Sequence, residues 1–313
     1  MNDSVVVLSI VGAITVGTPI ALAALGEILT ERSGVMNLGV EGMMLTGAVV
    51  GFGAMTITGS VWPGVAAGAL AAAVLALLHA VLSVSLRVNQ IISGLALVVV
   101  GTGLSSFLGR IGETPLVGRE AVSRFSPLLP PGVRDLPLVG PVVLGHDLMV
   151  YVTLLLTALT SYYLFRTRPG LSVRAVGEDP AAADAAGLSV PAIRYAHTVL
   201  GGAMAGAGGA YLSIEVLGTW QSGITAGVGW IAFALVIFSG WRPWVALVAA
   251  IVFGGLRNLG FTLQILGIGV ASDFLSMLPF ILTIVALIVA SSRPAWALGP
   301  PAALARPYVR ESR

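Results

Sequence analysis

The chain contains no cysteine and no lysine; all sixteen basic residues are arginine. Without cysteine there is no thiolate nucleophile, no disulfide and no Cys-bound zinc or iron–sulfur cluster. Without lysine there is no Walker A phosphate loop, no Schiff base and no lysine general base. The three histidines, His79, His146 and His197, stand far apart without metal-ligand spacing and read as incidental. No nucleophile–base pair or metal cluster emerges, so no catalytic residue, bound cofactor or metal is expected and the chain reads as a non-enzyme. Charge is scarce as well, at 10% of residues against about 25% in a globular domain. The net charge of +2 sits in loops, so no nucleic-acid partner is expected.

What is abundant is apolar sequence. Hydrophobic residues make up 57% of the chain and mean hydropathy is +0.97, values of an all-α, polytopic helical membrane protein. Segments 5–25, 35–57, 62–86, 91–108, 148–165, 195–214, 223–239, 243–261 and 273–291 approach the length of about 20 residues that a crossing helix needs, giving about nine spans. They form one transmembrane domain over residues 1–313. The N-terminal MNDSVVVLSI lacks a positive n-region and a cleavage site, and reads as a retained span. Forty glycines and abundant alanine predict close helix packing, as at Gly201, Gly202, Gly206, Gly208 and Gly209. An echo between Ser93-Gly94-Leu95-Ala96-Leu97 and Gly229-Trp230-Ile231-Ala232-Phe233 hints at an internal repeat. Trp62, Trp241 and Trp244 fit an interfacial belt.

Against this background the polar segment 166–194 stands out. Within it Asp179 can cap a helix, Pro180 suits its first turn, alanines including Ala183 and the acidic Asp184 follow, and Gly187 can end it. Such a helix has about two turns and cannot hold itself together in water. Arg166, Arg168, Arg174 and Arg194 place the segment on the cytoplasmic side by the positive-inside bias. A short, preformed helix there is a knob for a soluble partner. The long loop 109–147 then lies outside, where its prolines and mixed charges make either a docking surface or a solvated connector.

A second set of polar residues lies at membrane depth. In segment 24–48, Glu27, Glu31 and Arg32 make a charged turn, Ser33 is a cap, and Asn37 and Glu41 are expected one turn apart on a single helical face. A glutamate two turns into a span is costly unless it is paired or faces a cavity. Asn89 and Gln90 open another span. Arg257, Asn258 and Gln264 interrupt segment 243–261, which is therefore expected to break near 254–260. Asn37, Glu41, Asn89, Gln90 and Asn258 are the candidate substrate pathway, with structural hydrogen bonding as the competing reading for each.

GEILTERSGVMNLGVEGMMLTGA and RPGLSVRAVGEDPAAADAAGLSV, together with VNQIISGLAL and GWIAFALVIFSGWRPW, resemble permease subunits of bacterial ABC importers in the ribose/branched-chain amino acid superfamily. The first motif is most similar to the nucleoside branch, which works with lipoproteins of the basic membrane protein family. The resemblance implies an ATP-driven importer subunit in the plasma (inner) membrane. It implies that the knob, through Arg174, Glu178, Asp179, Pro180, Ala183, Asp184 and Gly187, couples to an ATP-binding cassette ATPase. That partner would carry ATP and Mg; a second permease subunit and a substrate-binding lipoprotein would complete the assembly. A simple-sugar permease and a proton-coupled secondary transporter using Glu41 are the alternatives.

Overall fold

The computed structural model describes residues 2–111, 115–134, 140–265, 269, 272–292 and 299–309. Apart from three isolated β-bridges, the regular structure among them is helical: α1 (Asn2–Arg32), α2 (Val40–Thr58), α3 (Val61–Ala80), α4 (Gln90–Leu108), the single turn α5 (Pro131–Arg134), α6 (Leu148–Arg166), α7 (Arg168–Glu178), α8 (Pro180–Ala185), α9 (Val190–Tyr211), α10 (Val228–Phe238), α11 (Pro243–Ile265) and α12 (Ser272–Ser292). π turns at Val81–Ser85 and Leu212–Val216 extend α3 and α9. Among the described residues seven helices, α1, α2, α3, α4, α6, α9 and α11, are long and apolar enough to cross a membrane. α10 and α12 account for the other expected apolar segments.

Local chemistry sets the helix starts. Asp147 accepts hydrogen bonds from the Met149 and Val150 amides at the head of α6, Asn89 does the same for Ile91 and Ile92 of α4, and Thr167 for Gly170 of α7. Buried hydroxyls of Thr18, Ser83, Thr153 and Thr157 bond back to carbonyls four residues earlier, which makes them tolerable among apolar neighbours.

Helix α9 packs against α1, α2 and α3, and does so through glycine. A side chain on Gly26 would overlap the backbone of Gly201 and the reverse; one on Gly47 of α2 would overlap the backbone of Gly206, and one on Gly206 the backbone of Gly68 of α3. With no hydrophobic force between helices in lipid, such close backbone contact supplies the dispersion energy of association. Gly206→Val is therefore expected to destabilise the bundle by about 1–3 kcal/mol or more, since the neighbours are backbone and cannot move aside. Gly103, exposed on α4 with open space around it, provides the control. Thermal unfolding in detergent should fall for Gly206→Val and not for Gly103→Val.

Three expectations are corrected. Helix α2 starts only at Val40, so Asn37 lies before it and does not share a helical face with Glu41. The reason is Gly34 at φ +89°, which turns the chain out of α1 into a buried, non-helical stretch over 33–39. Helix α11 runs unbroken through 254–260, with Arg257 and Asn258 half-buried; the side chain of Gln264 lies outside the described residues. Gly254 fits against Gly17 of α1, so the glycines of this span serve packing and not a break. Trp241 does not face outward as a belt residue would: it is buried, and its indole N–H donates to Glu31 Oε2 (2.6 Å), whereas Trp62 and Trp244 are exposed.

At the end of the bundle opposite the knob, segment 115–128 folds down onto the helices. The Phe125 amide donates to Glu215 Oε2, the Ala121 amide to the Gly218 carbonyl, and the Phe125 ring packs edge-on against Trp62.

Candidate functional site: an interrupted helix pair and a polar knob

The 33–39 stretch presents a physical problem. Backbone amides and carbonyls without helical partners are buried here, where each unsatisfied group costs several kcal/mol. Side chains solve it. Gln90 Oε1 accepts from the Met36 amide (2.8 Å), His79 Nε2 donates to the Met36 carbonyl (3.0 Å), and Asn37 Oδ1 accepts from the Gly39 amide (3.1 Å). The Asn37 amide in turn donates to Glu27 Oε1 (2.7 Å), and His79 Nδ1 lies 3.0 Å from Ser93 Oγ. His79 was not expected to matter from sequence. The available signal was Ser93, placed fourteen residues on at the start of the next span.

Glu41 stands at the first turn of α2 and is 6% exposed. Its Oε1 accepts from Thr225 Oγ1 (2.6 Å) and the Gly227 amide (3.0 Å), and its Oε2 from the Gly229 amide (2.6 Å). The carboxylate thus caps the N-terminus of α10, where orphan amides and the positive end of the helix dipole favour an anion. The half-buried Arg257 guanidinium lies within electrostatic reach of the same carboxylate.

Helix α10 has eleven residues and is about 16 Å long, half of what a bilayer of about 30 Å requires. Its other end is fixed to α1: Trp241 to Glu31, and Arg32 Nη2 to the Gly240 carbonyl (3.3 Å), with the Arg32 guanidinium 5.6 Å over the Trp241 ring. The half-helix is therefore anchored at its head to α2 and at its foot to α1, alongside the non-helical stretch joining them. The chain entering α2 is wedged between two glycines: Gly94 of α4 meets Leu38 and Gly39, and Gly229 in the first turn of α10 meets Glu41.

Of the expected pathway residues, Asn37, Glu41 and Gln90 gather around this interruption. Asn89 is exposed and caps α4, while the Asn258 amide packs elsewhere, on Gly12 of α1.

The knob is built in two parts. Helix α8 forms with Asp179 Oδ1 accepting from the Ala181 and Ala182 amides (both 3.0 Å), and Gly187 at φ +86° ends it. Ala183 is buried against a small patch that includes Val176 and Val190, while Ala181, Ala182, Ala185 and Ala186 face outward. The preceding helix α7 was not expected. Its signals were Thr167 as cap, Pro169 in the first turn, and Val173 and Val176 spaced for one buried face. Arg174 on α7 lies 5.5 Å over the Phe165 ring, and Glu178 is exposed at its end.

An apolar bundle with an interrupted helix pair at depth and a polar knob at one end has the shape of a transport subunit. The family described as branched-chain amino acid transport system, permease component, matches residues 9–287. The chain belongs to this permease family. A putative glucose ABC transporter permease of Haloferax volcanii is 42% identical over 262 residues, 80% of this chain and 76% of the relative. A nucleoside ABC transporter permease of Lactococcus lactis is 34% identical over 290 residues (86% and 88%), and a guanosine ABC transporter permease of Bacillus subtilis is 31% identical over 296 (91% and 93%). No solved structure matches. The permease is thus a multi-pass membrane protein whose family works with an ATPase and a substrate-binding protein.

Proposed function

We propose that this chain is the membrane-spanning subunit of an ATP-driven importer of nucleosides in the bacterial plasma membrane. A separate ATP-binding cassette subunit, holding ATP and Mg, would dock on α8, and a second permease subunit and an extracytoplasmic lipoprotein would complete the assembly. The observation that carries the reading is the knob: a capped six-residue helix with an outward alanine face, held on a buried patch at one end of an otherwise apolar bundle. Closure of the ATPase would push α8, and the helices would re-angle where they are already interrupted, at 33–39 and ahead of α10. Asn37, Glu41 and Gln90 would serve the pathway by holding that interruption in register; Asn89, which caps α4, and Asn258, which packs on α1, would serve it away from the interruption.

Nucleosides are favoured because two relatives covering most of the chain carry nucleoside or guanosine in their names. The Haloferax relative favours a sugar instead. Reconstitution with the partner subunits and a panel of guanosine, adenosine, uridine, ribose and glucose separates the two. Expected is ATP-dependent, protonophore-insensitive nucleoside uptake that free sugars do not inhibit. Glucose uptake alone would assign the chain to sugars, and uptake driven by a proton gradient without ATP would overturn the importer reading altogether.

A further inference from the structure

Segment 299–309 lies across the base of the knob. The Ala303 amide donates to the Gly177 carbonyl (2.9 Å), the Ala302 amide to Glu178 Oε2 (3.1 Å), and Arg194 Nη1 to the Arg306 carbonyl (3.1 Å). Pro301 and Ala303 are buried, and Tyr308 packs on the patch formed by Val176, Ala183 and Val190. Gly177 has no room for a side chain, with the Arg32 carbonyl on one side and Pro301 on the other. The end of α1, the end of α7, the start of α9 and segment 299–309 therefore meet at one junction.

Two features make this junction more than a covering. Arg194 is 1% exposed, and its Nε and Nη2 have no hydrogen-bond partner among the described residues. A buried guanidinium needs compensating dipoles, and the Arg306 carbonyl supplies one from the segment itself. Second, α8 is too short to be stable alone, and beneath its one buried residue, Ala183, the buried patch adds only Val176 and Val190. The hydrogen bonds from 302 and 303 fix the end of α7, from which α8 starts.

We infer that segment 299–309 is a strap that makes α7 and α8 move as one body with α1 and α9, so that force on the knob reaches the spans. The functional half of this inference rests on the reading of α8 as the ATPase contact. The strap would be dispensable for insertion and docking and required for coupling.

The chain has no cysteine, so Ala185→Cys, exposed on α8, accepts a spin label as a unique site for mobility measured on the permease alone, while docking, hydrolysis and uptake are read on the unlabelled chain. A variant lacking residues 299–313 is expected to insert, to retain the ATPase on purification and to hydrolyse ATP. Its uptake per ATP hydrolysed should fall about tenfold, within the usual range of coupling between sites, and the label at 185 should become more mobile. Tyr308→Ala, which leaves the strap backbone present, should shift both readouts the same way by less, and keeps the idea testable if the shortened chain does not fold. Unchanged label mobility, or unchanged uptake per ATP, would overturn the strap. Loss of the ATPase on purification would overturn the division between docking and coupling. If instead Ala183→Pro keeps the ATPase bound, the docking reading fails, while label mobility still reports on the strap.

Discussion

Ala183→Pro is expected to abolish both co-purification of the ATPase and transport, while leaving the permease inserted and folded. The Ala183 amide donates to the Asp179 carbonyl (3.0 Å), the first hydrogen bond of α8, and proline removes that donor. The penalty of about 3 kcal/mol shifts the folded population of this helix by more than a hundredfold. A six-residue helix whose single buried residue rests on Val176 and Val190 has nothing with which to offset it. The spans keep their own packing, because the one bundle contact of position 183 is at the very start of α9, with Val190. Membrane fractionation and size exclusion in detergent check insertion; pull-down with the ATPase and uptake in proteoliposomes check function. An undiminished yield of ATPase would move the docking site off α8. Ala182→Pro, one residue earlier in the first turn, where an unbonded amide is normal, should be much milder. It loses only one of the two amides that Asp179 caps.

The knob was legible because its signals are local. A cap, a proline and a glycine at fixed offsets around a run of alanines specify a short helix wherever it is placed. The spans were legible for a similar reason, since a bilayer imposes a length and an apolar composition on each. Helix packing followed from glycine content, and the Gly26–Gly201 and Gly47–Gly206 contacts bear that out.

What sequence did not reveal is which span is interrupted. Segment 243–261 carries Arg257 and Asn258, and looks broken; yet its backbone is continuous, because a helix tolerates half-buried polar side chains facing protein. Segment 35–57 reads as a continuous span, and its first residues are non-helical. The difference lies in partners remote in sequence. Gln90, His79 and Asn37 offer the backbone of 33–39 an alternative to helical hydrogen bonds, and no local window contains that information. The length of α10 was hidden likewise. The apolar composition of 223–239 suits a span, but Glu41, nearly two hundred residues earlier, fixes where the helix can start.

Glu41→Ala is expected to have the largest effect of any single change in the spans. It leaves Thr225 Oγ1 and the amides of Gly227 and Gly229 without an acceptor inside the protein. At about 1–3 kcal/mol for each unsatisfied buried donor, the sum rivals the whole stability of an ordinary domain. Helix α10 should leave its seat, and folded yield should collapse. Glu41→Gln is the more informative variant. Its carbonyl can keep Thr225 and Gly227, but its amide NH2 faces the Gly229 N–H, donor against donor, so one bond of the three is lost. Stability should then fall by about 1–3 kcal/mol. A label at Gln221→Cys, in the exposed segment ahead of α10, should become more accessible to a water-soluble maleimide. If Glu41 acts by seating α10, maximal uptake falls along with stability, and the substrate concentration for half-maximal uptake stays near its original value. If it acts by binding a hydroxyl of the substrate, that concentration rises while thermal unfolding and maleimide access are unchanged. Its three bonds to α10 favour the first outcome, and the second would place Glu41 in contact with the transported molecule.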